Sequence, residues 1–185
     1  RQKQRAGLLS SVFLLSVFLT ANGVSSIFSS FEGSYHVELS RSFIRQYLYS
    51  MMVGILLAVL LLGGVMALVF FEVYLDELIP SEINWIRVGQ LFFYTILVYI
   101  SVAILYYFGT IEGKKTRFFS PGALMTCLLI LMTTYLFGVY IENFSQYNQL
   151  YGSIGALLIF LFYIWLNSSV LLLGFELNAT LNRLK

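Results

Sequence analysis

Charged residues divide this chain into five long stretches that contain none. Residues 6–31, 48–71, 88–111, 120–141 and 150–175 hold no Asp, Glu, Lys, Arg or His. Each exceeds the ~20 residues that an α-helix needs to cross the hydrocarbon core of a bilayer. Within them apolar residues follow one another continuously, as in 56–62, without the period-two alternation of a barrel strand. The two prolines avoid the interiors of the stretches, Pro80 lying in the connection 72–87 and Pro121 at the start of 120–141. A helix tolerates proline at its start, because its first turn has no use for the missing N–H. The pattern predicts an all-α, polytopic helical membrane protein. It forms a single membrane domain with four clear transmembrane helices at 48–71, 88–111, 120–141 and 150–181.

The first stretch, 6–31, is less uniform. An apolar half, 8–19, gives way to Thr20-Ala21-Asn22-Gly23 and then to Ser25, Ser26, Ser29 and Ser30. Charge adds a conflict. Basic loops favour the cytoplasmic side, and both flanks of this stretch are basic, with Arg1, Lys3 and Arg5 before it and Arg41 and Arg45 after it. The favoured resolution is a re-entrant hairpin broken at Gly23, its freed backbone groups satisfied by small polar side chains. The alternative is a fifth transmembrane segment, with one basic flank outside. The remaining loops alternate: 72–87 is acidic, 112–119 carries Lys114, Lys115 and Arg117, 142–149 has no Lys or Arg, and the end carries Arg183 and Lys185. This puts the C-terminus in the cytoplasm. Segment 72–87 is expected to form a short interfacial turn or helix with Trp85 at headgroup depth.

Composition supports the membrane reading. Hydrophobic residues make up 59% of the 185 and charged ones only 11%, where a soluble domain has about 25%. The net charge of +2 gives no nucleic-acid footprint. Cys127 is the single cysteine, so no internal disulfide forms.

Candidate chemistry is sparse. Asn22, Asn167, Ser168 and Glu176 interrupt or end apolar stretches, and polar groups at such depth either bond between helices or line a substrate path. Asn178, two residues beyond Glu176, points about 200° away from it round a helix, so the two do not share a site. Gly152, Gly155 and Ala156 form a small-residue face suited to close helix packing. Pro121-Gly122-Ala123 opens a helix just after Lys114, Lys115 and Arg117. The N–H groups at that helix start, Gly122 among them, together with the three cations, make a candidate anion or lipid-headgroup site. His36 is the only histidine and Asp76 the only aspartate, and on this topology they lie on opposite sides of the membrane. That excludes a Ser-His-Asp, Cys-His or HExxH arrangement and an aspartate pair. The expectation is therefore a protein that is not an enzyme, with no metal and no cofactor.

Several stretches in order carry a family resemblance. They are Phe118-Phe119-Ser120-Pro121-Gly122-Ala123, Tyr151-Gly152-Ser153-Ile154-Gly155-Ala156, Tyr163-Ile164-Trp165-Leu166 and Gly174-Phe175-Glu176-Leu177-Asn178-Ala179, with an earlier echo in Tyr35-His36-Val37-Glu38 and Arg41-Ser42-Phe43. In these the chain resembles the YihY/BrkB family of bacterial inner-membrane proteins, once misnamed ribonuclease BN. It departs from the family at Glu32, where Asn often stands before the Tyr. The resemblance implies the C-terminal two-thirds of a longer chain, an inner-membrane location and a transport role without an established substrate. Two functions follow as expectations. One is a permease, flippase-like for an anionic or amphipathic substrate such as phospholipid. The other is a non-catalytic membrane scaffold or accessory subunit. The partners expected are membrane lipid and a second copy or another membrane protein, with no nucleic acid.

Overall fold

A computed structural model describes residues 2–34, 41–70, 73, 85–111, 118–144 and 148–184. Among them the structure is helical, with five long helices: α1 (Gln2–Glu32), α2 (Phe43–Phe70), α3 (Trp85–Gly109), α4 (Pro121–Phe144) and α5 (Asn148–Arg183). All five contain spans long and apolar enough to cross a membrane. At most 22% of any such span is buried within the protein. Large apolar side chains such as Leu14, Phe18, Leu62, Phe92 and Trp165 lie outside instead. A surface of that kind suits lipid and not water.

The first unit comprises α1, α2 and α3. Antiparallel α1 and α2 pack along one another, through Ala21, Val24, Phe28 and Phe31 on α1 and Gln46, Ser50, Val53 and Gly54 on α2. Gly54 lets the backbones approach: a Cβ there would stand 3.1 Å from Thr20 Cγ2. Phe31 meets the end of α3, its ring 5.6 Å edge-on from that of Tyr106 and against Gly109.

The break expected at Gly23 is not present. Helix α1 runs without interruption from Gln2 to Glu32, and Ser10–Glu32 is a candidate span of 23 residues. The small polar residues are the reason. Ser16, Thr20, Ser26 and Ser30 each donate to the carbonyl four residues earlier, at 2.8–3.0 Å. The helix thereby satisfies its own hydroxyls, and Gly23 stays helical. Of the two arrangements weighed for this stretch, the hairpin is the one that does not form, and the continuous helix is long and apolar enough to be a fifth span.

The second unit is the antiparallel pair α4 and α5. The 36 residues of α5 extend roughly 54 Å at 1.5 Å per residue, well beyond the ~30 Å hydrocarbon core. Except for Val73 and residues 85–87, of which Trp85 opens α3, the interfacial turn expected in 72–87 lies outside the described residues, as do His36, Lys114, Lys115 and Arg117.

Candidate functional site

Helix α1 has two opposite faces. Ala21, Val24, Phe28 and Phe31 are buried, while Asn22, Ser26, Ser30 and Gly33 are exposed and lie about 100–180° round the helix from Ala21. Asn22 sits at the middle of the Ser10–Glu32 span, and the polar stripe runs from there to the end of the helix. Its hydroxyls are bonded back into α1, whereas the amide of Asn22 points away from the packed face. A primary amide left in hydrocarbon costs several kcal/mol by alkane transfer, roughly 4–8, so this face calls for protein or water against it.

At the end of that stripe the chain ties a knot. The carboxylate of Glu32 accepts from the backbone N–H of Arg41, at 3.3 and 3.4 Å. Arg41 Nη1 donates to the last carbonyls of α3, Phe108 O at 2.7 Å and Gly109 O at 3.3 Å. Its guanidinium lies 4.5 Å over the ring of Tyr49. Cations stabilise a helix C-terminus through its exposed carbonyls. Burial pulls the Arg41 pKa below its ordinary value, opposed by Glu32 and Tyr49; an arginine remains a cation regardless. Nearby, Gln46 Nε2 donates to Ser29 Oγ at 2.9 Å and to Ser25 O at 3.4 Å. Sequence reasoning counted Arg41 as a topological charge and passed over Gln46, yet both hold helices together.

The start of α4 differs from its expected form. Pro121 has no N–H to offer. Gly122 N–H donates to Asn178 Oδ1 at 2.8 Å, and Ala123 N–H to Ser120 Oγ at 3.3 Å. Leu124 N–H donates to Ser120 O at 3.1 Å, and Asn178 Nδ2 completes the set by donating to Ser120 Oγ at 2.8 Å. Ser120 is thus the N-cap, with Asn178 of α5 a second cap from outside the helix. The N–H groups expected to meet an anion at Gly122 are all engaged within the protein. A Cβ on Gly122 would collide with Gly174 O and the Asn178 side chain. Two of the family-like stretches, around Gly122 and around Gly174–Asn178, therefore meet in space.

Asn167 bonds chiefly within its own helix. Its Nδ2 donates to Tyr163 O at 2.9 Å, and its Oδ1 accepts from Thr133 of α4 at 3.4 Å. A shorter contact, 2.8 Å, joins Thr134 Oγ1 and Tyr163 Oη. Ser168 is exposed and Glu176 half-buried. On a continuous helix Glu176 lies about 180° round from Asn167, so α5 does not gather its three candidates on one face. Beside Thr133 an open groove of about 420 Å³ runs between α4 and α5, with Phe137, Tyr140, Leu158, Phe162 and Leu166 among its walls.

Comparison with known proteins agrees with the helical membrane architecture. The ribonuclease-like protein YfkH of Bacillus subtilis is 28% identical across 98% of this chain, which spans 68% of that protein. A UPF0761 membrane protein of Xanthomonas oryzae is 32% identical over 45% of the chain and 20% of its own length. Another, from Coxiella burnetii, is 28% identical over 76% of the chain and 49% of its own length. No solved structure matches. The family model for virulence factor BrkB matches residues 1–185, the whole chain, which therefore belongs to the BrkB family of membrane proteins.

Proposed function

We propose that this chain forms part of a membrane permease, flippase-like in moving an anionic or amphipathic substrate such as a phospholipid. The observation that carries the reading is the polar stripe of α1. It begins with Asn22 at mid-span, runs through Ser26 and Ser30 to one helix end, and stands opposite the packed face. A headgroup crossing the membrane needs such a track, because the hydrocarbon offers it no hydrogen bonds. Ser168 and Glu176 of α5 remain path candidates within the second unit. Lys114, Lys115 and Arg117 are proposed to attract anionic headgroups through their side chains.

On this reading the protein lies in the bacterial inner membrane, crossing it five times. The connections bearing Arg41, Arg45, Lys114, Lys115 and Arg117 then share a side with Arg183 and Lys185, leaving Arg1, Lys3, Arg5 and Arg87 on the other. The majority side is the cytoplasm, and with it the C-terminus. A catalytic role is not proposed. The ribonuclease in the Bacillus relative's name would call for clustered metal ligands, and among the described residues no three His, Cys, Asp or Glu lie together.

A second reading rests on the same face. Ser26, Ser30 and Gly33 are small enough for another helix to approach closely, which would suit a scaffold paired with a second copy or another membrane protein. Purified full-length protein in liposomes separates the two. Lipid scrambling or solute flux that is lost in Asn22→Leu supports the permease. No flux from folded protein, with a partner subunit that dissociates in Asn22→Leu, supports the scaffold.

A further inference from the structure

We propose that Tyr47 of α2 joins Asn22 of α1 in binding the phosphodiester of a lipid headgroup within the membrane, on the flank of the α1–α2 pair that faces away from α3. This deepens the permease reading, on which its purpose rests, by naming a second binding residue and the group it recognises.

Contacts define the flank. Phe18, Asn22, Ser25 and Ser29 fall within about 60° of one another round α1. Gln46 bonds to Ser25 and Ser29, and the ring centroids of Tyr47 and Phe18 lie 6.1 Å apart. Asn22 stands between these two contacts along α1. Phe31, through which α1 meets α3, is about 140° round from Phe18. Tyr47 thus reaches along the side of the pair away from α3, toward the depth of Asn22 at mid-span.

What this flank lacks is an acceptor. Among the described residues, the buried side-chain atoms without a hydrogen-bond partner are Tyr47 Oη and Arg41 Nη2. A guanidinium nitrogen only donates, and a phenol hydroxyl can donate. Buried polar groups are ordinarily bonded, so both hold unspent donors. Asn22 adds two N–H donors at the exposed edge of the same flank. Residues 2–31 and 42–71 contain no Asp or Glu, so the flank has no carboxylate for an ammonium. Arg41 and Arg45, at the start of α2, attract an anion instead. A phosphodiester is anionic and rich in acceptors, and charge-assisted bonds to it are the strong ones. Exposed Leu14 and Phe18 continue the same face of α1, so the group arrives from lipid with its acyl chains attached. Phe18 is the cover over Tyr47. It is 54% exposed and therefore free to turn aside, which bares the hydroxyl beside Asn22.

The test turns on Tyr47→Phe, which removes a hydroxyl but no hydrogen bond that the structure contains. Its melting temperature in detergent should stay level or rise. Its affinity for phosphatidylglycerol should fall about tenfold or more, the usual worth of a hydrogen bond to a charged group. Binding is read by isothermal titration of the purified full-length protein in mixed micelles. Diacylglycerol with the same chains and water-soluble glycerophosphoglycerol are the comparison ligands, and both should bind more weakly. Phe18→Ala should tighten phosphatidylglycerol binding by uncovering the hydroxyl. Scrambling of headgroup-labelled phosphatidylglycerol in liposomes is measured on the same variants and should slow in Tyr47→Phe. No scrambling by the wild type would remove the permease reading, and the titrations would still decide the role of Tyr47. Unchanged affinity in Tyr47→Phe, or either comparison ligand binding as tightly as phosphatidylglycerol, would overturn the proposal whether or not the protein scrambles lipid.

Discussion

Asn178, one turn and a half before the end of α5, gives its amide oxygen to the N–H of Gly122 at the second position of α4, 2.8 Å away. Through its other amide atom it holds Ser120, the N-cap of the same helix. Both partners are buried. Replacing Asn178 with Leu strands a buried donor and leaves Ser120 with fewer bonds. The expected loss is about 1–3 kcal/mol, read by thermal or denaturant unfolding in detergent. Asn178→Asp keeps the acceptor for Gly122 and loses only the donor, so it should fall between wild type and Asn178→Leu.

Glycines in this chain divide sharply by what surrounds them. At Gly122 a methyl group would meet the Gly174 carbonyl and the Asn178 side chain, while at Gly23 and Gly138 it would meet nothing within 4 Å. Gly122→Ala should cost about 1–3 kcal/mol through overpacking and open the α4–α5 contact. Gly23→Ala and Gly138→Ala should instead be neutral or raise stability by up to about 1 kcal/mol, the usual gain of alanine over glycine in a helix. Melting temperatures of the three variants in one detergent decide the matter.

Four helices were legible, and the first stretch only as the less favoured of two alternatives, because a bilayer imposes a length and an apolar composition that the charge-free stretches met. Helix ends matched within about five residues for the same reason. What the sequence concealed were pairings at long range. Asn178 was compared only with Glu176, its neighbour along the chain, because nothing in a linear reading brings it to Ser120. The one available signal was Ser120-Pro121-Gly122: an N-cap serine, a proline without an N–H, and a glycine whose bare N–H invites an outside acceptor. Gln46 was hidden likewise, a polar residue at the edge of an apolar stretch whose partners, Ser25 and Ser29, lie on α1. Serines in the first stretch misled in the other direction. They resembled a break, yet their spacing of four, Ser26 to Ser30, is that of hydroxyls bonding one turn back.

Arg41 binds α3 by a charge-assisted bond of 2.7 Å to Phe108 O and stacks on Tyr49. Arg41→Ala should destabilise the first unit by about 1.5–3 kcal/mol. Arg41→Lys should recover only part of this, because an ammonium lacks the planar fork that serves carbonyl and ring together. Hydrogen exchange at the amides ending α3 should speed up in both variants, more in Arg41→Ala.

Asn167 was read as either a helix-pairing residue or part of a path, and its geometry makes it a weak pairing residue. Its contact to Thr133 is 3.4 Å, against 2.8 Å between Thr134 and Tyr163. Interhelical hydrogen bonds in membranes average about 0.6 kcal/mol. Asn167→Leu should stay within about 0.5 kcal/mol of wild type, and Tyr163→Phe should lose about 0.6–1.5 kcal/mol. Unfolding titrations of both variants test the ranking. A larger loss in Asn167→Leu than in Tyr163→Phe would reverse it.

Continuity of α1 makes the sharpest demand on topology. A hairpin returning at Gly23 would leave residues 3 and 42 on one face of the membrane. An unbroken helix with a 23-residue span between Ser10 and Glu32 sets them on opposite faces, because at 1.5 Å per residue that span covers roughly 34 Å, slightly more than the ~30 Å hydrocarbon. Lys3→Cys and Ser42→Cys, each in a background with Cys127→Ala, are suitable probes, since Ser42 is exposed and stands outside the Arg41 knot. In whole cells an impermeant maleimide should label one of them and spare the other, and in inverted vesicles the pattern should exchange. The expected order is Lys3→Cys labelled from outside and Ser42→Cys from the cytoplasm, because Arg45, Lys114, Lys115 and Arg117 accompany Ser42 on the more basic side. Labelling of both from one side would mean that α1 does not cross. The α1 polar stripe would then lie in the interface, and a headgroup track along it would lose its physical basis.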